Sequence, residues 1–136
     1  MDGNDNLENL VRSGGLKAEP PDNKECEGLL RSAVDRLKDA HIPALSFASR
    51  FDLAYNAAHA LCLAALRRKG FRASNRYIVF QVLPHTMGLG PEVWRVLDMC
   101  HHKRNLSEYE GLLDIDERLV KDLCEAVERV ASALTA

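Results

Sequence analysis

Apolar residues recur along this chain at the period of a helix face rather than of a strand. Cys26, Leu29, Leu30, Ala33, Val34 and Leu37 fall three or four positions apart or beside one another, which predicts a helix over 23–40. Asp22 or Asn23 supplies a cap at its start, and His41-Ile42-Pro43 ends it. A longer helix is predicted over 46–69, with Ser46 as cap and Gly70 as the stop after Arg67-Arg68-Lys69. Its middle is apolar nearly all round, the mark of a helix at the centre of a bundle. Ala54, Ala57, Ala58, Ala60, Ala64 and Ala65 allow neighbours to approach it closely. A short helix over 74–82 follows, although Ile78, Val79 and Phe80 are strand-prone residues. Beyond the loop Gly88-Leu89-Gly90, Pro91 opens a helix over 91–109, and an amphipathic helix over 116–134 carries Leu119, Leu123, Val127, Val130 and Leu134 on one face.

Before these helices, 6–12 has the pattern of one or two helical turns, broken by Ser13-Gly14-Gly15 and again by Pro20-Pro21. The expected organisation is an N-terminal arm over 1–22 and a helical domain over 23–136. No pair of strands is evident, so the fold class is all-α, an up-and-down bundle of about five helices.

Composition narrows this picture without redirecting it. A chain of 136 residues suits one domain and buries a core without staples. The four cysteines Cys26, Cys62, Cys100 and Cys124 form no CxxC pair and sit in apolar helical patterns, so buried free thiols are expected and no metal site or cofactor. A net charge of -2 gives no overall attraction to nucleic acid, so phosphate binding would need a local basic cluster. The start Met1-Asp2-Gly3-Asn4-Asp5 is acidic, unlike a secretion signal. The uncharged stretch 53–66 is too short to span a bilayer. A reduced, cytoplasmic protein without membrane contact is expected.

The helix over 91–109 carries the candidate chemistry. Val93, Leu97, Cys100 and Arg104 share one face, apolar until the arginine. A buried arginine needs a carboxylate, solvent or an anion, because it keeps its charge. His101, His102 and Lys103 extend the positive patch, which also suits a helix C-terminus without any ligand. On the long central helix, Tyr55 and His59 lie four apart with Asp52 one turn earlier. They form either a buried hydrogen-bond network or a support for Arg104, with Asp52 as its expected ion-pair partner. Arg67, Arg68, Lys69, Arg72 and Arg76 offer phosphate contacts or are simply a charged helix end.

Arg104-Asn105, followed by Tyr109 and Gly111, resembles the signature of the HEPN family, an arginine, usually a polar neighbour, and a histidine after four intervening residues. The stretch Arg50-Phe51-Asp52-Leu53-Ala54-Tyr55-Asn56-Ala57-Ala58-His59-Ala60 resembles that family's long alanine-rich helix. The resemblance spans roughly 24–134 and is nearest to a small bacterial subgroup ending Arg-Asn-x-x-Glu-Tyr-Glu-Gly, matched by Arg104 to Gly111. It implies a HEPN-like bundle and a homodimer with two such segments facing each other. It also implies an RNA or nucleotide ligand and a toxin-antitoxin or defence setting, with an antitoxin or nucleotidyltransferase-like partner protein.

In HEPN ribonucleases the arginine and histidine cut RNA without metal. Arg104 would then neutralise charge on the phosphate and Asn105 would orient it. The histidine position falls on Tyr109. An unperturbed phenol of pKa about 10 is ionised about once in a thousand at pH 7, a cost of roughly 4 kcal/mol for a base. Tyr109 is then a catalytic base only where Arg104 lowers its pKa; the alternatives are that it donates a hydrogen bond or stacks on a base, with His101 or His102 supplying the imidazole if either is not just a solvated face. Two functions follow. One is RNA or nucleotide binding with or without metal-independent cleavage. The alternative is a non-catalytic dimeric interaction module using the same groove.

Overall fold

The computed structural model describes the backbone of residues 3–82, 86–110 and 115–135, and the side chains of 6–75, 78–82, 86–105 and 115–135. Within them are six helices and two short strands: α1 (Gly3–Ser13), β1 (Leu16–Ala18), α2 (Asn23–Ala40), α3 (Phe47–Arg68), β2 (Phe71–Ala73), α4 (Arg76–Gln81), α5 (Pro91–Glu110) and α6 (Glu117–Thr135).

Local chemistry sets the helix ends. Asp22 caps α2 by accepting from the Lys24 and Glu25 amides at 2.9 and 3.2 Å. Ser46 caps α3 by accepting from the Ser49 amide at 3.1 Å. After α3, Gly70 takes φ +89°, a left-handed conformation that stops the helix with no Cβ penalty. Its carbonyl then accepts the Glu19 amide at 2.9 Å, which draws the N-terminal segment alongside.

α3 is the central helix. Phe51, Ala54, Tyr55, Ala57, Ala58, Leu61, Cys62, Ala64 and Leu66 are all buried along it, and α2 and α6 pack along its length. The alanines let these neighbours approach closely, as the small side chains predicted. α4 and α5 pack on α3 as well, and α5 also lies against α6. Ala33 and Ala40 of α2, Val93, Leu97 and Cys100 of α5, and Val120, Leu123, Val127 and Val130 of α6 complete the main core. The mostly helical bundle expected from the apolar spacing is what forms.

One feature departs from expectation. β1 and β2 pair antiparallel, Leu16 against Ala73 and Ala18 against Phe71, where no strand pair was evident. The segment expected as an N-terminal arm packs on the bundle. Leu7 and Leu16 join Leu66 and Val82 in a second buried cluster, flanked by Leu10, Val11, Phe71 and Ile78. The Gly and Pro breaks end α1 and β1 locally, but apolar burial holds the segment on the bundle.

Arg67 fastens the same junction. Its side chain is 1% exposed. It donates from Nε to Glu25 Oε1 at 2.6 Å, from Nη1 to the Glu19 carbonyl at 2.9 Å and from Nη2 to the Pro20 carbonyl at 2.7 Å. Arg67 Nη2 also pairs with Glu19 Oε2 at 3.3 Å, and Arg72 bonds the same two carboxylates, Glu19 Oε2 at 2.7 Å and Glu25 Oε2 at 2.8 Å. The side-chain bonds from Arg72 hold the Glu19 and Glu25 carboxyls below their ordinary range, against the opposing effect of desolvation.

Candidate functional site

The site is assembled where α3, α4 and α5 meet. Tyr55 lies on the buried face of α3 and is 1% exposed. Its ring stacks on Phe51 one turn earlier, with centroids 6.3 Å apart, and tilts against Phe80 of α4 at 5.6 Å. From α5, His101 stacks on the same tyrosine at 6.2 Å with planes 15° apart. His101 is itself buried, at 6% exposure.

A chain of hydrogen bonds runs through this imidazole. Tyr55 Oη is 2.8 Å from His101 Nδ1. Asn105 Nδ2 is 3.2 Å from His101 Nε2, one helical turn on. With the amide oriented this way, Asn105 donates to Nε2 and Nδ1–H donates to the tyrosine oxygen. Turning the amide reverses every donor while using the same heavy-atom positions. In both arrangements the two ring nitrogens are engaged. That satisfies a buried polar side chain and leaves no imidazole lone pair for a substrate.

Arg104 covers the group. Its guanidinium carbon stands 4.8 Å from the centre of the Tyr55 ring, a cation–π contact, and the side chain is half-buried. The expected stripe Val93, Leu97, Cys100 and Arg104 is therefore present, and the arginine marks its edge. Asp52, the expected ion-pair partner, is exposed, and among the described residues it makes no ion pair. Left in water, its carboxylate avoids the desolvation that pairing inside the bundle would demand. The face of Tyr55 lies beneath the guanidinium.

The remaining expected residues divide. His59 meets the edge of Phe80 at 6.0 Å and so borders the cluster. His102 is exposed, with Nδ1 2.9 Å from the Asp98 carbonyl of its own helix. Lys103 is half-buried beside Arg104. The side chain of Tyr109 lies outside the described residues. The structure thus separates the two histidines that sequence left equivalent.

Phe80 was missed as a member of the site, and so was the burial of His101. The second was readable, because His101 follows Leu97 by four positions and Asn105 follows His101 by four. The link between Phe80 and Tyr55 joins separate helices, and no spacing within one helix reveals it.

Other candidate chemistry is absorbed by the fold. In the basic group at the end of α3 and on β2, Arg67 and Arg72 are ion-paired and Arg68 donates to the Leu134 carbonyl at 2.8 Å. The side chain of Arg76 lies outside the described residues. The four cysteines are buried and free, as expected. Burial pushes the Cys62 and Cys100 thiols up to about 12, so neither is a nucleophile near neutral pH. Among the described residues no group of three or more His, Cys, Asp and Glu could hold a metal ion, and no helix is long and apolar enough to cross a membrane. No protein-family model, no curated protein and no solved structure matches the chain.

Proposed function

We propose that this chain is a HEPN-like RNA- or nucleotide-binding protein whose phosphate-binding cation is Arg104. The observation that carries the reading is the guanidinium held 4.8 Å above a buried tyrosine at the edge of the bundle. A guanidinium is the planar, permanently charged group that suits recognition of a phosphate oxygen. Asn105 anchors this part of α5 by bonding His101 rather than by reaching for the ligand.

Binding is favoured over cleavage because of His101. A base for the 2′-hydroxyl has to present a lone pair near neutral pH. His101 is 6% exposed and has partners on both nitrogens. The reading includes a two-fold dimer that brings two α5 helices together, as the family resemblance implies, in a toxin-antitoxin or defence setting. A strictly monomeric protein by light scattering at high concentration removes the dimer from it.

The direct test incubates a mixed RNA pool in EDTA with wild type, Arg104→Ala and Tyr109→Phe, and measures binding beside cleavage. Wild type is expected to bind RNA and leave it intact, and Arg104→Ala to bind roughly ten- to a hundredfold more weakly, the usual cost of a lost charge-assisted hydrogen bond. Unchanged binding by Arg104→Ala sinks the site. Cleavage by wild type that is lost in both variants would make the protein a metal-independent ribonuclease working without the usual histidine.

A further inference from the structure

The helix α4 is six residues long, and a helix that short has little stability of its own in water. Its place is set by what packs on either side. Val79 and Phe80, each 2% exposed, belong to the main core. There Phe80 meets the rings of Tyr55 and His101, each with its centroid 5.6 Å away. Ile78, and Val82 at the end of α4, belong instead to the second cluster, with Leu7, Leu10 and Leu16 of the N-terminal segment. One short stretch therefore carries the candidate site on one side and the N-terminal segment on the other.

The backbone leading into α4 is tied to that segment directly. The Ser74 amide and hydroxyl both donate to the Gly15 carbonyl, at 3.1 and 2.9 Å. Asn75, next in the chain, caps α4 by accepting from the Ile78 amide at 3.0 Å. Gly15 also lies against α4, since a Cβ added there would stand 3.1 Å from Ile78 Cδ1. The pairing of β1 with β2 and the ion pairs of Glu19 with Arg67 and Arg72 complete the attachment.

We infer that the N-terminal segment controls the conformation of the candidate site through α4: docked, it holds Phe80 against Tyr55 and His101, and released, it lets α4 and Phe80 withdraw from them. A close-packed interior passes such a displacement on rather than absorbing it. The segment is held by the smaller of the two apolar clusters, so it opens before the bundle does. The link is mechanical and holds whatever the site binds, so it stands or falls apart from the reading of Arg104.

Leu7 lies in the second cluster, so Leu7→Ala loosens the segment without opening a hole in the main core. Hydrogen exchange and the NMR signal of the His101 ring proton Hε1 are read on the full chain without ligand. The amides of residues 80–82 are expected to exchange roughly tenfold faster than in wild type, together with those of β1, while the middle of α3 stays protected. The His101 signal is expected to move, because the ring current of Phe80 no longer reaches it as before. Val130→Ala, which weakens the main core from α6, is the control for general destabilisation and is expected to leave that signal in place. Faster exchange confined to α1 and β1 in Leu7→Ala, with α4 and His101 as in wild type, overturns the proposal. So does an equal response of α4 and His101 to Val130→Ala, since the effect would then be loss of overall stability. Should Leu7→Ala not fold, Gly15→Ala crowds Ile78 from the same side. A moved His101 signal is expected there too, and an unmoved one overturns the proposal.

Discussion

Arg67 and Arg104 show two ways of dealing with a guanidinium that cannot lose its charge. Arg67 is 1% exposed and is surrounded by carboxylate and carbonyl oxygens from Glu25, Glu19 and Pro20. Arg104 is half-buried and lies on an aromatic face. The first arrangement spends the N–H donors within the protein, and the second engages the π face of a buried tyrosine. Arg67 is accordingly a structural arginine. Arg67→Ala strips a buried cation from two carboxylates and three carbonyls. Removing one partner of a buried pair typically costs 3–5 kcal/mol, and the lower end is expected here because Arg72 still neutralises the carboxylates. Urea unfolding should show a loss of about 3 kcal/mol. A change below about 0.5 kcal/mol, the scale of ordinary surface substitutions, would mean that the ion cluster contributes nothing net.

Helices dominate this chain, and a helix advertises itself in sequence through contacts three and four positions apart. Asp22, Ser46 and Gly70 were legible as end signals because capping is a property of a few adjacent residues. The buried stripe Val93, Leu97 and Cys100 with Arg104 at its margin was legible for the same reason. β1 and β2 were not. Each is three residues long, too short for an alternating pattern, and their pairing joins Leu16 to Ala73 across two intervening helices. The site divides along the same line. Tyr55, His101 and Arg104 were named from their positions on two helices, and Asn105 from the motif resemblance beside Arg104. That Tyr55 bonds His101 and underlies Arg104, while Asp52 stays in water, is a matter of how α3 and α5 sit together. Only tertiary packing decides that.

At the scale of the whole molecule, the N-terminal segment is attached by two means with different sensitivities to pH. Leu7 and Leu16 bury apolar surface against Leu66 and Val82, which proton concentration does not alter. Glu19 attaches through ion pairs with Arg67 and Arg72, which Glu25 of α2 shares, and both carboxyls are held below their ordinary value of 4.5, chiefly by bonds from Arg72. A carboxyl with a depressed folded pKa binds protons more readily when the protein is unfolded. Its contribution is therefore complete above about 4.5 and is lost as pH falls through the lower folded values. Both carboxylates are about a third exposed, at 32% and 30%, so salt should weaken the effect. Wild type is expected to lose melting temperature as pH is lowered through this window. Glu25→Gln should melt lower than wild type at neutral pH and decline less on acidification. Hydrogen exchange locates the change: β1 amides should begin to exchange faster at acid pH while those of α3 stay protected. Wild type and Glu25→Gln falling in parallel with pH would show that the clasp is not the acid-sensitive element. Exchange rising first in α3 would show that the bundle, rather than its N-terminal attachment, yields first.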